Sequence, residues 1–369
     1  MCFALEAAGH RALFVGGCVR NALMGVPVAD IDLATDATPQ TVSMLADSAG
    51  FRVVATGIDH GTLTVIAGGV AHEVTTFRRD VRTDGRHAVV AFSTRLEDDA
   101  ARRDFTINAL YADRTGVVID PLGGMPDLLA RRVRFVGTPQ ARIAEDYLRI
   151  LRFFRFFACY GDPTTGIDAE GLAACAANIA GLETISRERV GAEMRKLLAA
   201  ADPSPAVASM AAAGVLAVVL PGAEVRALAH LVHLEGPRAP RWLRRLAVLG
   251  GQDVSDRLRL SRRETADLGR LRDEIGGMLS PAALGFVLGE LLGTDAVLAR
   301  AAVMELPLPA DWAAEVARGA AAEFPLRASD LIHGTQGKMQ GPMLGAALDA
   351  ARARWLASDL TLTKAQLLG

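Results

Sequence analysis

The chain has 369 residues, with 40 Lys plus Arg against 42 Asp plus Glu and a formal net charge of −2. That length exceeds a single hydrophobic core and predicts two to four compact units, while the near-neutral balance excludes a uniformly basic nucleic-acid coat. Apolar residues make up 51% of the chain, much of it alanine; no 18-residue stretch is free of charges or helix breakers, which argues against a membrane protein and for a soluble, cytoplasmic one.

The opening segment MCFALEAAGH reads as the tail of a helix. Its early Glu6, with no basic segment leading into an apolar one, rules out a signal peptide. Ala12–Val15 is a short apolar run before Gly16-Gly17, and Val19–Met24 has the composition of a following helix. Asp30–Leu33 reads as a short strand. Thr38-Pro39 opens a helix, a capping residue followed by proline at the first helical position. Phe51–Ala55 is another strand, and Thr62–Ala67 and Val70–Phe77 flank Gly68-Gly69, a two-residue hairpin signal. From Pro139 onward strand signals almost vanish, and AEDYLRILRFFRFFACYG and SRERVGAEMRKLLAA place apolar residues at helical spacing. The predicted fold class is α+β, a head with an antiparallel or mixed sheet followed by a long all-α region.

The four cysteines (Cys2, Cys18, Cys159 and Cys175) are scattered, with no CxxC, no HExxH and no His-Asp dipeptide, so neither a disulfide framework nor a Cys- or His-based metal site is expected. The cations are almost all arginine, which suits bidentate phosphate and base contacts. A GC-rich coding sequence gives the same bias, so charge alone does not choose the partner.

Chemistry concentrates in three clusters. In GGCVRNALMGVPVADIDLAT, Asp30 and Asp32 flank Ile31 on the predicted strand, which sends both carboxylates from one face. Their mutual repulsion is relieved if they share a hard cation such as Mg²⁺. The Gly16-Gly17 amides and Arg20 could then hold a triphosphate; a solvated strand end beside a tight turn explains the same residues. In RRDFTINAL (Arg102–Leu110), Asp104 and Asn108 lie four apart, on one face of an expected helix. In EDYLRILRFFRF (Glu145–Phe156), Asp146 and Arg149 lie three apart on a helix. Asp only accepts and Arg only donates, so the pair can read the exocyclic amine and ring acceptor of C or A and mismatch G and U. An ordinary intrahelical salt bridge is the simpler reading of that pair alone.

Taken together, these segments resemble the class II CCA-adding enzyme and bacterial poly(A) polymerase family, a branch of the DNA polymerase β-like nucleotidyltransferases. The match runs in unbroken order from Ala12 to about Leu198. It takes in GGCVRN…DID, HEVTTFRRD, RRDFTINAL, DPLGGMPDL, AEDYLRILRFFRF and RERVGAEMRKLL. The resemblance implies a nucleotidyltransferase head at 1–137, a helical neck at 138–200, a body at 201–280 and a tRNA-binding tail at 281–369. It implies Asp30 and Asp32 as ligands of two Mg²⁺ ions, with Glu73 a third catalytic carboxylate. Arg103 and Asp104 would contact the ribose 2′-OH, with Asn108 in the same nucleotide site. Glu145 would position Arg149, Asp146 and Arg149 would act as an amino-acid template, and Arg152 and Arg155 would reach the triphosphate or primer. Family members usually carry more helix before the GG motif, so Met1 is expected to lie inside the natural gene.

The implied activity is template-independent addition of C, C and A to the tRNA 3′ end from CTP and ATP, by a monomer or homodimer away from membranes. Poly(A) synthesis or A-only addition is the alternative within the family, and a catalytically inactive RNA-binding protein the alternative outside it. Phe77–Phe92 resembles the flexible loop that CCA-adding and A-adding members possess, which favours CCA addition over CC-only addition. Arg226–Arg245, with five arginines against Glu235 alone, either tracks the tRNA backbone or forms a solvated helix face.

Overall fold

A computed structural model describes residues 1–84, 87–334 and 340–369. The chain divides into two units, one of residues 1–197 and 205–219, the other of residues 198–204 and 220–369. In the first, the strands are β1 (Ala12–Val15), β2 (Asp32–Thr35), β3 (Arg52–Gly57), β4 (Thr62–Ala67), β5 (Val70–Thr76), β6 (Arg78–Asp84), β7 (His87–Phe92), β8 (Tyr111–Ala112) and β9 (Val118–Ile119). Interleaved with them are α1 (Cys2–Ala7), α2 (Gly17–Leu23), α3 (Pro39–Ser48), α4 (Leu96–Ala101) and α5 (Met125–Leu129), and then the purely helical α6 (Pro139–Glu145), α7 (Leu148–Tyr160), α8 (Ala169–Ala177) and α9 (Arg187–Leu198).

Local chemistry explains the best-read elements. Gly68 and Gly69 take φ of 58° and 80°, the two positive angles a twist-matched two-residue hairpin needs, and Ala67 duly pairs with Val70. The Thr38 side chain accepts from the Thr41 amide and caps α3, with Pro39 in its first turn. Seven strands form one sheet in the order β3-β4-β5-β2-β1-β8-β9. It is mixed, because β2 runs parallel to β5 while β1 is antiparallel to β2 and β8. Successive residues of β1 and β2 enter different cores. Ala12 and Leu33 pack with Leu5, Val42 and Val74, whereas Leu13 and Ala34 pack with Phe77, Leu96 and Tyr111. A sheet covered on both faces fixes its register, since a one-residue slip would exchange the two cores.

Three expectations are corrected. The strand containing the acidic pair begins at Asp32, so Asp30 lies ahead of it in non-strand backbone. RRDFTINAL is no α-helix: Phe105 is extended at φ −125°, ψ 149°, and bridges Phe135, leaving only a 3₁₀ turn at Thr106–Asn108. The Phe105 ring takes this course because it is fully buried among Phe135, Phe153 and Phe156, with ring centroids 5.0, 6.3 and 4.8 Å away. The expected loop at Phe77–Phe92 is instead the paired hairpin β6–β7, with Arg78 opposite Phe92; Gly85 and Arg86 lie outside the described residues.

The second unit is built from helices. Pro281–Met304 is long and apolar enough to cross a membrane by length and composition, with hydropathy 1.6, but 67% of that stretch is buried within the fold. It kinks at Gly289 (φ 79°, ψ 167°), and a Cβ on Gly285 or Gly319 would overlap the backbone of the facing helix. The Arg226–Arg245 run is neither an RNA track nor a solvated face at its core. Arg244 and Arg245 are each 1% exposed. Arg244 pairs with Glu235 at 2.6 Å and Asp295 at 2.9 Å, Arg245 pairs with Glu235 at 2.6 Å, and Arg241 reaches Asp295 at 2.8 Å.

Candidate active site

A cleft of about 480 Å³ in the first unit gathers residues from four separate sequence clusters. Gly16, at φ 72°, turns the chain from β1 into α2, and a Cβ there would press on the Arg103 guanidinium at 3.2 Å. Gly16 and Gly17 both line the cleft, as does Arg20 on α2. The Arg20 side chain is held on every side: it donates to Asn108 Oδ1, to Tyr160 Oη at 2.8 Å and to Asn21 Oδ1 at 2.8 Å, and it lies 3.9 Å over the Tyr160 ring. Burial lowers its pKa from the ordinary arginine value, a clamp rather than a freely sweeping cation.

Asp32 opens β2 on the cleft wall, and its direct partner across the parallel ladder is Glu73 on β5. Burial pushes the Asp32 carboxyl above the usual carboxylate range, and the nearby charges of Glu73 and then Asp30 add to the rise, against Arg103. Asp30 itself is exposed and is absent from the cleft lining. Among the described residues no hydrogen bond reaches the Asp32 carboxylate, and no three His, Cys, Asp or Glu side chains form a ready-made metal cage. Hard carboxylates set side by side at an electrostatic cost, without an internal partner for Asp32, suit a hard divalent cation that takes its other oxygens from a bound triphosphate. The donor set therefore fits such an ion.

Behind this wall, Asn108 donates to Asp104 Oδ1 at 2.9 Å, so the two residues meet although no α-helix joins them. Arg152 on α7 donates to Asp104 Oδ2 at 2.8 Å. Burial alone would raise the Asp104 carboxyl, but Arg152 and Asn108 together hold it below the usual range. Arg103 donates to Asp99 Oδ2 at 2.9 Å and to Tyr111 Oη at 3.0 Å. Asp99 is the residue missed in the sequence: fully buried on α4, it holds Arg102, Arg103 and the Tyr111 hydroxyl at once. The three- and four-residue spacing in DDAARR carried that signal.

The segment AEDYLRILRFFRF is interrupted where a continuous helix is expected. α6 ends at Glu145, Asp146 adopts φ −155°, ψ 105°, and α7 starts at Leu148. Asp146 and Arg149 both line the cleft but do not pair through their side chains. Arg149 Nη1 donates to Glu145 Oε2 at 2.5 Å and to the Arg142 carbonyl at 2.7 Å. Asp146 Oδ1 accepts from the Leu148 amide at 3.1 Å, and Oδ2 accepts from Arg189 Nη2 at 2.6 Å. Arg189, on α9, also lines the cleft. At the break the Tyr147 ring packs against Gly181, where a Cβ would overlap it. Arg155 departs from expectation: it is bound to Glu193 at 2.6 Å and is not among the cleft-lining residues. That ion pair takes Nε, and the guanidinium also lies 4.5 Å from the centre of the Phe156 ring.

Residues 12–134 match the family described as the poly A polymerase head domain, and residues 166–226 match the "Probable RNA and SrmB- binding site of polymerase A". Over 190 residues the chain is 46% identical to the human protein named CCA tRNA nucleotidyltransferase 1, mitochondrial, covering 51% of this chain and 44% of that one. A CCA-adding enzyme of Lacticaseibacillus paracasei is 42% identical over 200 residues, covering 54% of this chain and 48% of its own. The chain thus spans about half the length of the curated relatives it matches. Among solved structures, that of the Bacillus stearothermophilus CCA-adding enzyme in complex with CTP is similar with a TM-score of 0.75 at 30% identity, covering 97% of this chain and 91% of that chain.

Proposed function

The chain belongs to the family of the CCA-adding enzymes with a poly(A) polymerase-type head, and from that membership we propose that it adds C, C and A to the 3′ end of tRNA from CTP and ATP. The observation that carries the proposal is the convergence in one cleft of Asp32, the Arg103–Asp104 pair and the Asp146–Arg149 pair. In the reaction the terminal RNA hydroxyl forms a bond to the α-phosphorus, the α–β phosphoanhydride breaks, and pyrophosphate leaves.

Enzymes of this family use divalent metal ions. Two Mg²⁺, held by Asp30 and Asp32 with Glu73 as the third carboxylate, would supply charge neutralisation at the phosphates and acidify the attacking hydroxyl. Everything else falls to this chain's residues. The Gly16-Gly17 backbone leaves space for the phosphates beside the clamped Arg20. Arg103 and Asp104, with Asn108 and Arg152 behind Asp104, face the ribose 2′-OH. Asp146 and Arg149 offer acceptor and donor to the base, with Glu145 fixing Arg149. The head at 1–137 carries the chemistry and the neck at 138–200 the choice of base, while 201–280 and 281–369 serve as body and tail for tRNA. The protein acts in the cytoplasm as a monomer or homodimer.

The test is tRNA lacking its CCA end, incubated with each nucleoside triphosphate separately and then together, with and without a chelator. CTP alone should extend by C, the two together should give CCA, and the chelator should stop both. An indefinite run of A would instead establish poly(A) synthesis. Extension only of tRNA already ending in CC would establish A-only addition, and no incorporation of any nucleotide would favour an RNA-binding protein.

A further inference from the structure

We propose that Tyr160 is a positioning residue for the phosphate side of the cleft: it holds the Arg20 guanidinium toward the triphosphate, and so sets the affinity for nucleoside triphosphate and for pyrophosphate without touching either. The proposal rests on the reading of Arg20 as the cation beside the phosphates, and no role given above includes Tyr160.

Tyr160 is the last residue of α7, before Gly161 leaves helical backbone at φ −71°, ψ 161°. It stands at the opposite end of that helix from Asp146 and is not among the cleft-lining residues. Arg20, which does line the cleft, meets it twice. Arg20 Nη2 donates to Tyr160 Oη at 2.8 Å, and the guanidinium carbon lies 3.9 Å from the centre of the Tyr160 ring. Two side-chain amides also bind Arg20. Asn21 Oδ1 accepts from Nε at 3.1 Å and from Nη2 at 2.8 Å, and Asn108 Oδ1 accepts from Nη1. A guanidinium has five N–H groups. These contacts take the one on Nε, both on Nη2 and one of the two on Nη1, so among the described residues one Nη1 N–H is left to face a ligand. Its aim depends on the plane in which the guanidinium is held. Asn21 is the next residue along α2 and moves with Arg20, and the Asn108 bond alone leaves that plane free to turn about it. Tyr160 fixes the plane from a separate helix, with a charge-assisted hydrogen bond at its hydroxyl and a cation–π contact at its face. It acts on a phosphate contact made alike in ground and transition state, so its loss weakens binding rather than the chemical step.

The experiment measures kcat and KM for CTP and ATP on tRNA lacking CCA, and the dissociation constant of pyrophosphate with Mg²⁺ by titration calorimetry. The proteins are wild type, Tyr160→Phe, Tyr160→Leu, Phe157→Leu and Arg20→Gln, each at a temperature where it is folded. Tyr160→Phe keeps the ring and loses the hydroxyl. It should raise both KM values and the pyrophosphate constant together, about threefold to tenfold, with kcat within about twofold of wild type. Tyr160→Leu loses the ring as well and should raise them about tenfold or more. Phe157→Leu trims a buried ring three residues earlier on α7 and should leave KM and the pyrophosphate constant as in wild type. Wild-type constants in folded Tyr160→Phe overturn the proposal. So does a fall in kcat with KM and the pyrophosphate constant unmoved, or an equal rise in Phe157→Leu, each the mark of a merely structural helix end. If Tyr160→Leu does not fold, Tyr160→Phe decides by the same criteria. An Arg20→Gln protein that binds pyrophosphate as tightly as wild type refutes the reading of Arg20 itself, and is told apart because Tyr160 is intact in that variant.

Discussion

In the second unit Arg244 and Arg245 end on Glu235 and Asp295, all four buried, whereas in the first unit Arg103, Arg149, Arg152 and Arg189 end at an open cleft. Both groups are arginines paired with acids at similar distances. They differ in what is left over. The buried network closes on itself, with Arg245 also donating to the Leu198 carbonyl at 2.8 Å and the Ala201 carbonyl at 2.9 Å, so nothing remains for a ligand. Desolvation costs such a network most of its Coulombic gain, and its use is geometric. In the cleft the pairs stay accessible, and Asp32 is left with the repulsion of Glu73 and Asp30 and no internal hydrogen bond. Function is written in the unfinished pairings rather than in the density of charge.

That contrast breaks most readily at its extremes. Asp32→Ala should reduce nucleotide incorporation by about a thousandfold or more while the melting transition holds or rises, because a strained charge has gone. An active Asp32→Ala protein would return the acidic pair to a solvated strand end. Arg244→Ala should do the reverse. Leaving Glu235 and Asp295 buried without it costs about 3–5 kcal/mol in urea unfolding, yet the protein should still choose C and A at temperatures where it is folded. A folded Arg244→Ala variant that misincorporates U would erase the distinction between the units. Between these lies Gly181→Ala. Its Cβ would overlap the Tyr147 ring next to Asp146, so about 1–3 kcal/mol of stability should be lost, with incorporation falling more than unfolding accounts for.

The same contrast shows which parts of the molecule were legible in the sequence. Local chemistry was readable: the Gly68-Gly69 turn, the Thr38-Pro39 helix start, and the clusters around Asp32, Asp104 and Arg149. Whatever depended on a distant partner was not. AEDYLRILRFFRF keeps helical periodicity straight through Asp146, and the contacts made at the break lie far along the chain, at Gly181 beside Tyr147 and at Arg189, 43 residues from Asp146. Arg244 looked like a surface cation because Asp295, 51 residues on, cannot be seen locally. Phe105 left the expected helix for a ring cluster assembled from α7 and the strand-like segment at Phe135.

A smaller effect is expected from pH. Burial would raise the Asp99 and Asp104 carboxyls, but Arg103 and Arg102 on the first and Arg152 on the second leave both below the ordinary value of 3.8 in the folded protein. Depressed carboxyls add stability that is complete above that ordinary value and is lost as pH falls through the folded one. Urea midpoints should therefore drop as pH is lowered below about 4, and Asp99→Asn should be less stable but flatter in that window. An unchanged slope would remove the head's ion pairs from the account of its acid stability.

The central claim, that Asp146 selects the base by accepting from its exocyclic amine, is tested most directly by one substitution. Exchanging the charges of Asp146 and Arg149 outright would set an arginine against Arg189 and an acid against Glu145, and would damage the neck for reasons unrelated to the base. Asp146→Asn is gentler. The amide keeps one acceptor atom where the carboxylate gave two, to the Leu148 amide and to Arg189, and the NH₂ it gains opposes the amine of C or A and matches the carbonyl of U. The measurement is the ratio of kcat/KM for CTP to that for UTP on tRNA lacking CCA. The account predicts that the ratio falls by about one to two decades, the worth of an unpaired buried polar group, with UTP incorporation rising. A folded, active Asp146→Asn protein with the wild-type ratio would contradict it.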